Sequence, residues 1–118
     1  MRGDTETVRP SLRTALPELS DWVERGLTEQ GRLEGAEAVA KAEVHSCELS
    51  GSSHAVVYLT AKGYGEQGGE SVWVRRPEGA HARSWVVHVE LAGNRPVWIS
   101  ISHPGVLRPA LRRLASAA

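Results

Sequence analysis

The segment SWVVHVELAGNRPVWISIS, Ser84 to Ser102, alternates apolar and polar residues on both sides of a Gly-Asn pair. That period of two constrains the chain more than any other feature, because only an extended strand sorts successive side chains onto opposite faces. Trp85, Val87, Val89 and Leu91 share one face of the first strand, and Val97, Ile99 and Ile101 share one face of the second. Pairing Leu91 with Val97 and Val89 with Ile99 keeps these residues together. It also requires an odd connection, most simply the three residues Gly93 to Arg95. A two-residue connection would turn Trp98 inward, so the register predicts that Trp98 lies opposite the core.

The rest of the chain supplies partners for this pair. SGSS, Ser50 to Ser53, is turn chemistry between a strand beginning at about Val39 and the strand HAVVYLTA; Leu49 is matched with His54. In EGAEAVAKAEVHSCELS the alanines suit a helix while Val39, Val44 and the later turn suit a strand, which leaves residues 34–42 open to either, and the strand reading from about Val39 is adopted. KGYGEQGGE, Lys62 to Glu70, reads as a loose loop, followed by the short strand SVWVRR; PEGAHA then leads into RSWVVHVEL. Upstream, Leu16, Leu19, Val23 and Leu27 recur at helical spacing with Trp22 on the flank. With Thr14 as N-cap, Pro17 takes the third helical position, where its missing N–H costs nothing, and Gly31 supplies the stop. Residues 1–13 are expected to fray. At the far end Leu107, Ala110, Leu111 and Leu114 form the seam of a short helix. The expectation is one α+β domain, residues 1–118: an N-terminal helix packed on a curved antiparallel meander of four to five strands, then a short C-terminal helix.

Alternation assigns Val57, Leu59, Val72, Val74, Trp85, Val87, Val89, Leu91, Val97, Ile99 and Ile101 to the core face. The other face carries Tyr58, Thr60, Trp73, Arg75, Val86, His88, Glu90, Trp98, Ser100 and Ser102. A merely solvated face would be Thr, Lys and Glu. Aromatic side chains bury ~150–250 Å² each, so two Trp and a Tyr imply that something covers this surface. Three coverings present themselves: the C-terminal helix, a protein partner or second copy of the chain, and a small molecule held in a pocket.

Composition excludes several classes. Formal net charge is zero, which gives no general attraction to nucleic acid or to an anionic membrane. Arg108, Arg112 and Arg113 on the last helix complement its dipole. No apolar run approaches the ~18 residues of a membrane span, and MRGDTETVRPSLRT has no apolar signal core. The lone cysteine, Cys47, rules out an internal disulfide, and a cytoplasmic location is expected. The glycine-rich loop lacks the strand-to-helix frame and the Lys-Ser/Thr ending of a phosphate cradle.

Chemical motifs are sparse. His88 and Glu90, two apart on one strand, are the minimum for an acid–base pair, but no nucleophile or second carboxylate accompanies them, and no catalytic residue is assigned. His45, Cys47 and His54 share a side in the hairpin register above. They offer three ligand types that zinc accepts, but at a spacing matching no standard site, so no metal or other cofactor is expected. His81 and His103 read as solvent-exposed. The order helix, antiparallel strands, helix from about Leu16 to Leu114 resembles the layout of cystatin-like and nuclear-transport-factor-like rolls, which implies the architecture and leaves function open. The resulting expectation is a non-enzymatic binding or dimerisation module using Tyr58, Trp73, Arg75, His88, Glu90, Trp98 and Ser100. The alternative is a small-molecule pocket or small enzyme with His88 and Glu90 as its polar groups.

Overall fold

A computed structural model describes residues 9–51, 53–60, 69–75 and 86–117. Among these residues three helices, α1 (Leu12–Ala15), α2 (Pro17–Glu29) and α3 (Leu33–Lys41), precede five strands: β1 (Ser46–Ser50), β2 (His54–Tyr58), β3 (Glu70–Arg75), β4 (Val86–Ala92) and β5 (Arg95–Ser102). A 3-10 turn, Gly105–Leu107, leads into α4 (Arg108–Ala117). The fold is α+β. All strand pairs are antiparallel, in the order β1-β2-β5-β4-β3. The order departs from a simple meander, because β2 pairs with β5 and β3 forms the far edge.

The first helix is broken where one continuous helix is expected. A residue before proline is pushed out of the α region, and Leu16 sits at φ −137°, ψ 71°. Pro17 is therefore the first residue of α2 instead of the third of a longer helix, and Ser11, not Thr14, caps the preceding turn by accepting from the Thr14 N–H. Gly31 ends α2 as expected. At φ +80° it lets its own N–H reach Thr28 O and the Arg32 N–H reach Leu27 O, the paired bonds of a Schellman stop. Of the expected tail, residues 1–8 lie outside the described residues and residues 9–13 belong to the fold. Leu12 is fully buried, its N–H donates to Ala42 O, and Pro10 O accepts from Val44 N–H.

Residues 33–41 form α3, a correction to the strand expected from Val39. Ala36, Val39 and Ala40 are buried at a spacing of three and four, and a run rich in Ala costs little to hold helical. The strand starts at Ser46, and Ser50 pairs with His54 and Leu49 with Ala55. This one-residue difference from the expected register moves His54 to the face opposite Cys47.

The β4–β5 connection also differs. Ala92 pairs with Arg95 across the two-residue turn Gly93–Asn94, yet Trp98 still faces away from the core. The ladder is interrupted between Glu90, opposite Trp98, and Leu91, opposite Pro96. Val97 is the extra residue of this bulge, which supplies the odd step that the connection does not. As a consequence Val97 leaves the core set and packs with Val56 and Trp98.

The core lies between the helices and the inner sheet face. It takes Leu16, Leu19, Trp22, Val23 and Leu27 from the helical stripe, and Val57, Leu59, Val72, Val74, Val87, Val89, Leu91, Ile99 and Ile101 from the strands. Trp85 lies outside the described residues, as do residues 61–68 of the glycine-rich segment and residues 76–84. Leu107 and Leu111 join this same core, with Ala110 and Leu114 against it. The C-terminal helix therefore packs on the inner side, beside β1, and does not cover the aromatic face.

Candidate functional site

Register alone assembles the outer face. Trp73 on β3 stands opposite His88 on β4, His88 opposite Ser100 on β5, and Ser100 opposite Val56 on β2. In the adjacent row Ser71, Glu90, Trp98 and Tyr58 follow one another across the same four strands. Tyr58, Trp73, His88, Glu90, Trp98 and Ser100 thus share one surface as expected, and the Arg75 side chain lies outside what the structure describes.

The rings form a chain of contacts. Trp73 stacks on His88 with centroids 4.5 Å apart and planes at 10°, and His88 meets the edge of Trp98 at 4.9 Å and 87°. Both are favoured aromatic geometries. Polar groups tie the flanks: Ser71 donates to Glu90 at 3.0 Å, Tyr58 donates to Glu48 at 3.0 Å, and His54 Nε2 lies 2.7 Å from Ser100 Oγ. His54, Glu48, Ser71 and Val56 complete the face. The alternation of β2 carries the signal for His54 and Val56, which share parity with Tyr58.

Trp98 is 9 % exposed and Trp73 is 59 % exposed, so the two indoles have different roles. Trp98 anchors a small outer cluster with Val56 and Val97, whereas Trp73 presents its ring beyond the sheet. Gln30, at the end of α2, donates to the Trp73 carbonyl at 3.0 Å. This occupies a backbone acceptor on the edge strand that an added strand would use. Arg32 grips Glu70 through two bonds of 2.8 and 2.6 Å, holding the start of β3 to the helical layer. That hydrogen bond keeps the Glu70 carboxyl below its ordinary range.

His88 Nε2 is shielded from solvent, has no hydrogen-bond partner among the described residues, and lies 3.9 Å from Glu90. The neighbouring carboxylate favours the imidazolium, but burial between the rings disfavours it more, and the His88 pKa falls below the ordinary histidine value. The folded state thus binds its proton less readily than the unfolded chain. Stability from this site is complete above the unfolded value of about 6.5 and is lost as pH falls through the lower folded value. Chemical denaturation between about pH 7.5 and 5 should show wild-type stability declining on acidification, with a shallower decline in His88→Gln. Stability that rose on acidification through His88 would reverse this account.

His45, Cys47 and His54, which offer ligand types that zinc accepts, are not brought together as a set. Cys47 is buried on the core side and His54 lies on the outer face, and no group of three ligands forms among the described residues. Burial first, and Glu48 second, push the Cys47 thiol up to about 11, which makes it a small core side chain and a poor thiolate. His103 is exposed as expected, and His81 lies outside the described residues. A cavity of about 540 Å³ lies away from His88 and Glu90, between the end of α3, the residues after β2 and the β4–β5 turn. Nothing in the sequence reading pointed there.

No family model, curated protein or solved structure matches this chain. No helix among the described residues is long and apolar enough to cross a membrane.

Proposed function

We propose that this chain is a small, soluble, cytoplasmic binding module without catalytic activity, which docks a protein through its outer sheet face, the first partner being a second copy of itself. The observation that carries the reading is Trp73, 59 % exposed yet held in one orientation by stacking on His88. A large ring fixed before contact loses little rotamer freedom on binding, and Trp is prominent among residues that dominate interface energetics. Its surroundings suit docking: an aromatic centre, with Ser71, Glu90, Tyr58 and Glu48 as a hydrogen-bonding border. The catalytic alternative is weaker, because His88 Nε2 is shielded and Glu90 already accepts from Ser71.

Sedimentation equilibrium from micromolar to millimolar chain tests the self-association. Wild type should dimerise and Trp73→Arg should remain monomeric, since an isologous contact uses this face on both copies and would bury an uncompensated cation twice. Trp98→Arg is less suitable, because Trp98 is already buried within the chain. A monomeric wild type throughout would remove self-association, and a dimer indifferent to Trp73→Arg would remove this face from it.

A further inference from the structure

Resting on the reading of the outer sheet face as a self-docking surface, we propose that this association is controlled by a proton on His88: the chain docks with a neutral imidazole, and the imidazolium opposes docking. The geometry puts the ring where a partner must act on it. His88 lies in the row Trp73, His88, Ser100, on the strand between β3 and β5. The exposed Trp73 ring stacks on it at 4.5 Å, and Trp98 meets it edge-on at 4.9 Å. Its Nε2 is already shielded, but the His88 side chain as a whole keeps 20 % of its surface open. A second copy seated on Trp73 removes solvent that an imidazolium needs. An isologous contact also brings two His88 rings to one interface, and a proton on each would add like charge across it.

The groups around His88 do not relieve that charge. On its own strand Glu90 lies 3.9 Å away and already accepts from Ser71 at 3.0 Å. From β5 come Trp98 and Ser100, and from β3 come Trp73 and Ser71, all uncharged; Arg75 is two residues further along β3, its side chain outside what the structure describes. Beyond β5, strand β2 brings His54, 2.7 Å from Ser100, and Tyr58, which donates to Glu48 on the edge strand β1. Glu90 is thus the nearest described carboxylate, and in the single chain burial outweighs it. Docking deepens the burial, so the dimer binds its His88 protons less readily than two separate chains. The contribution to association is complete above the separate chain's value and is lost as pH falls through it. With two protons per dimer, the loss is at most about a hundredfold per pH unit.

Sedimentation equilibrium of the intact chain at about pH 7.5 and about pH 5 reads the dependence, with circular dichroism establishing the fold at both. The wild-type dimer should weaken roughly tenfold or more on acidification. Dilution calorimetry in two buffers of different ionisation enthalpy counts the protons directly, and association at about pH 6 should release them. His88→Phe keeps a ring between the two indoles and cannot titrate, so its dimer should lose the dependence. His54→Gln, which changes the other histidine of this face, should retain it. If His88→Phe does not fold or associate, the wild-type His88 Cε1 proton resonance reads the same quantity, and its titration midpoint should fall as the chain is concentrated into the dimer. A dimer at least as strong at the lower pH, no proton release, an unmoved midpoint, a dependence kept by His88→Phe or one abolished by His54→Gln overturns the role of His88 and leaves self-docking standing. A chain monomeric at both pH values overturns self-docking and this inference with it.

Discussion

Deleting residues 105–118 is expected to unfold the domain, and Leu111→Ala alone to cost about 2–5 kcal/mol. Leu111 is fully buried and Leu107 is 2 % exposed, both within the main core. Burial of each such side chain contributes about 1.5–3 kcal/mol, and cavity formation adds to the loss. Together these approach the ~5–15 kcal/mol that a domain has in all. The cause is the position of α4 beside β1, an edge strand of five residues whose inward Cys47 and Leu49 lie against the same core. Urea denaturation followed by circular dichroism reads both changes. A truncated chain that kept a cooperative transition at the wild-type midpoint would show that α4 contributes nothing to this core.

Placement of α4 marks the boundary of what the sequence makes legible. Its seam of Leu107, Leu111 and Leu114 is visible as a periodic pattern, but the pattern names no partner, and either face of the sheet could have received it. On the inner face α2 lies against β3 and α3 against β5, and α4 takes the remaining place beside the edge strand β1. The α2 stripe and the inward set of β4 were legible because each is a long, uninterrupted period, whereas in β5 only Ile99 and Ile101 keep the expected face beyond the bulge. The split at Leu16 was legible in principle, since Pro17 restricts the residue before it, and so was α3, whose Ala36, Val39 and Ala40 recur at three and four. Strand order was not, because pairing β2 with β5 instead of β3 leaves every alternation unchanged.

The candidate face survived two errors for a physical reason. A two-residue turn should have inverted Trp98, but the bulge at Val97 restored the parity, so Val87 and Val89 of β4 could still meet Ile101 and Ile99 of β5. Burial of that set governs the register, and the connection adapts to it. The β1–β2 hairpin has weaker constraint in its short strands, and there a single-residue error sent His54 to the wrong side. The direction of the His88 shift was hidden as well: Glu90 is apparent as a neighbour two residues away, but the enclosure by Trp73 and Trp98 comes from three strands meeting. The cavity at the end of α3 is a property of what is missing, namely side-chain bulk at Ala38, Ala42 and Ala92, which read locally as ordinary helix and strand residues.

Gly26→Ala is expected to destabilise the domain by about 1–3 kcal/mol, although the same exchange in an exposed helix would stabilise it by about 1 kcal/mol. Gly26 lies within α2, where a glycine has no local justification, and its reason is across the interface. A Cβ built there would overlap the Val74 side chain, meeting both its γ-methyl carbons and its Cβ. Val74 is 1 % exposed and branched at Cβ, so it has few alternative rotamers and no room to use them. The helix must therefore withdraw from β3, which would also strain the Gln30 bond to Trp73 and the Arg32 grip on Glu70. Val74→Ala removes the obstructing methyls at the cost of a cavity. In the double variant the methyl introduced on α2 partly fills that space, so the two costs should fall short of their sum by about 1 kcal/mol or more. Equilibrium denaturation of wild type, the two single variants and the double variant measures this coupling directly. If Gly26→Ala instead raised stability, with no coupling to Val74, the close approach of α2 to β3 would be wrong, and with it the support proposed for Trp73.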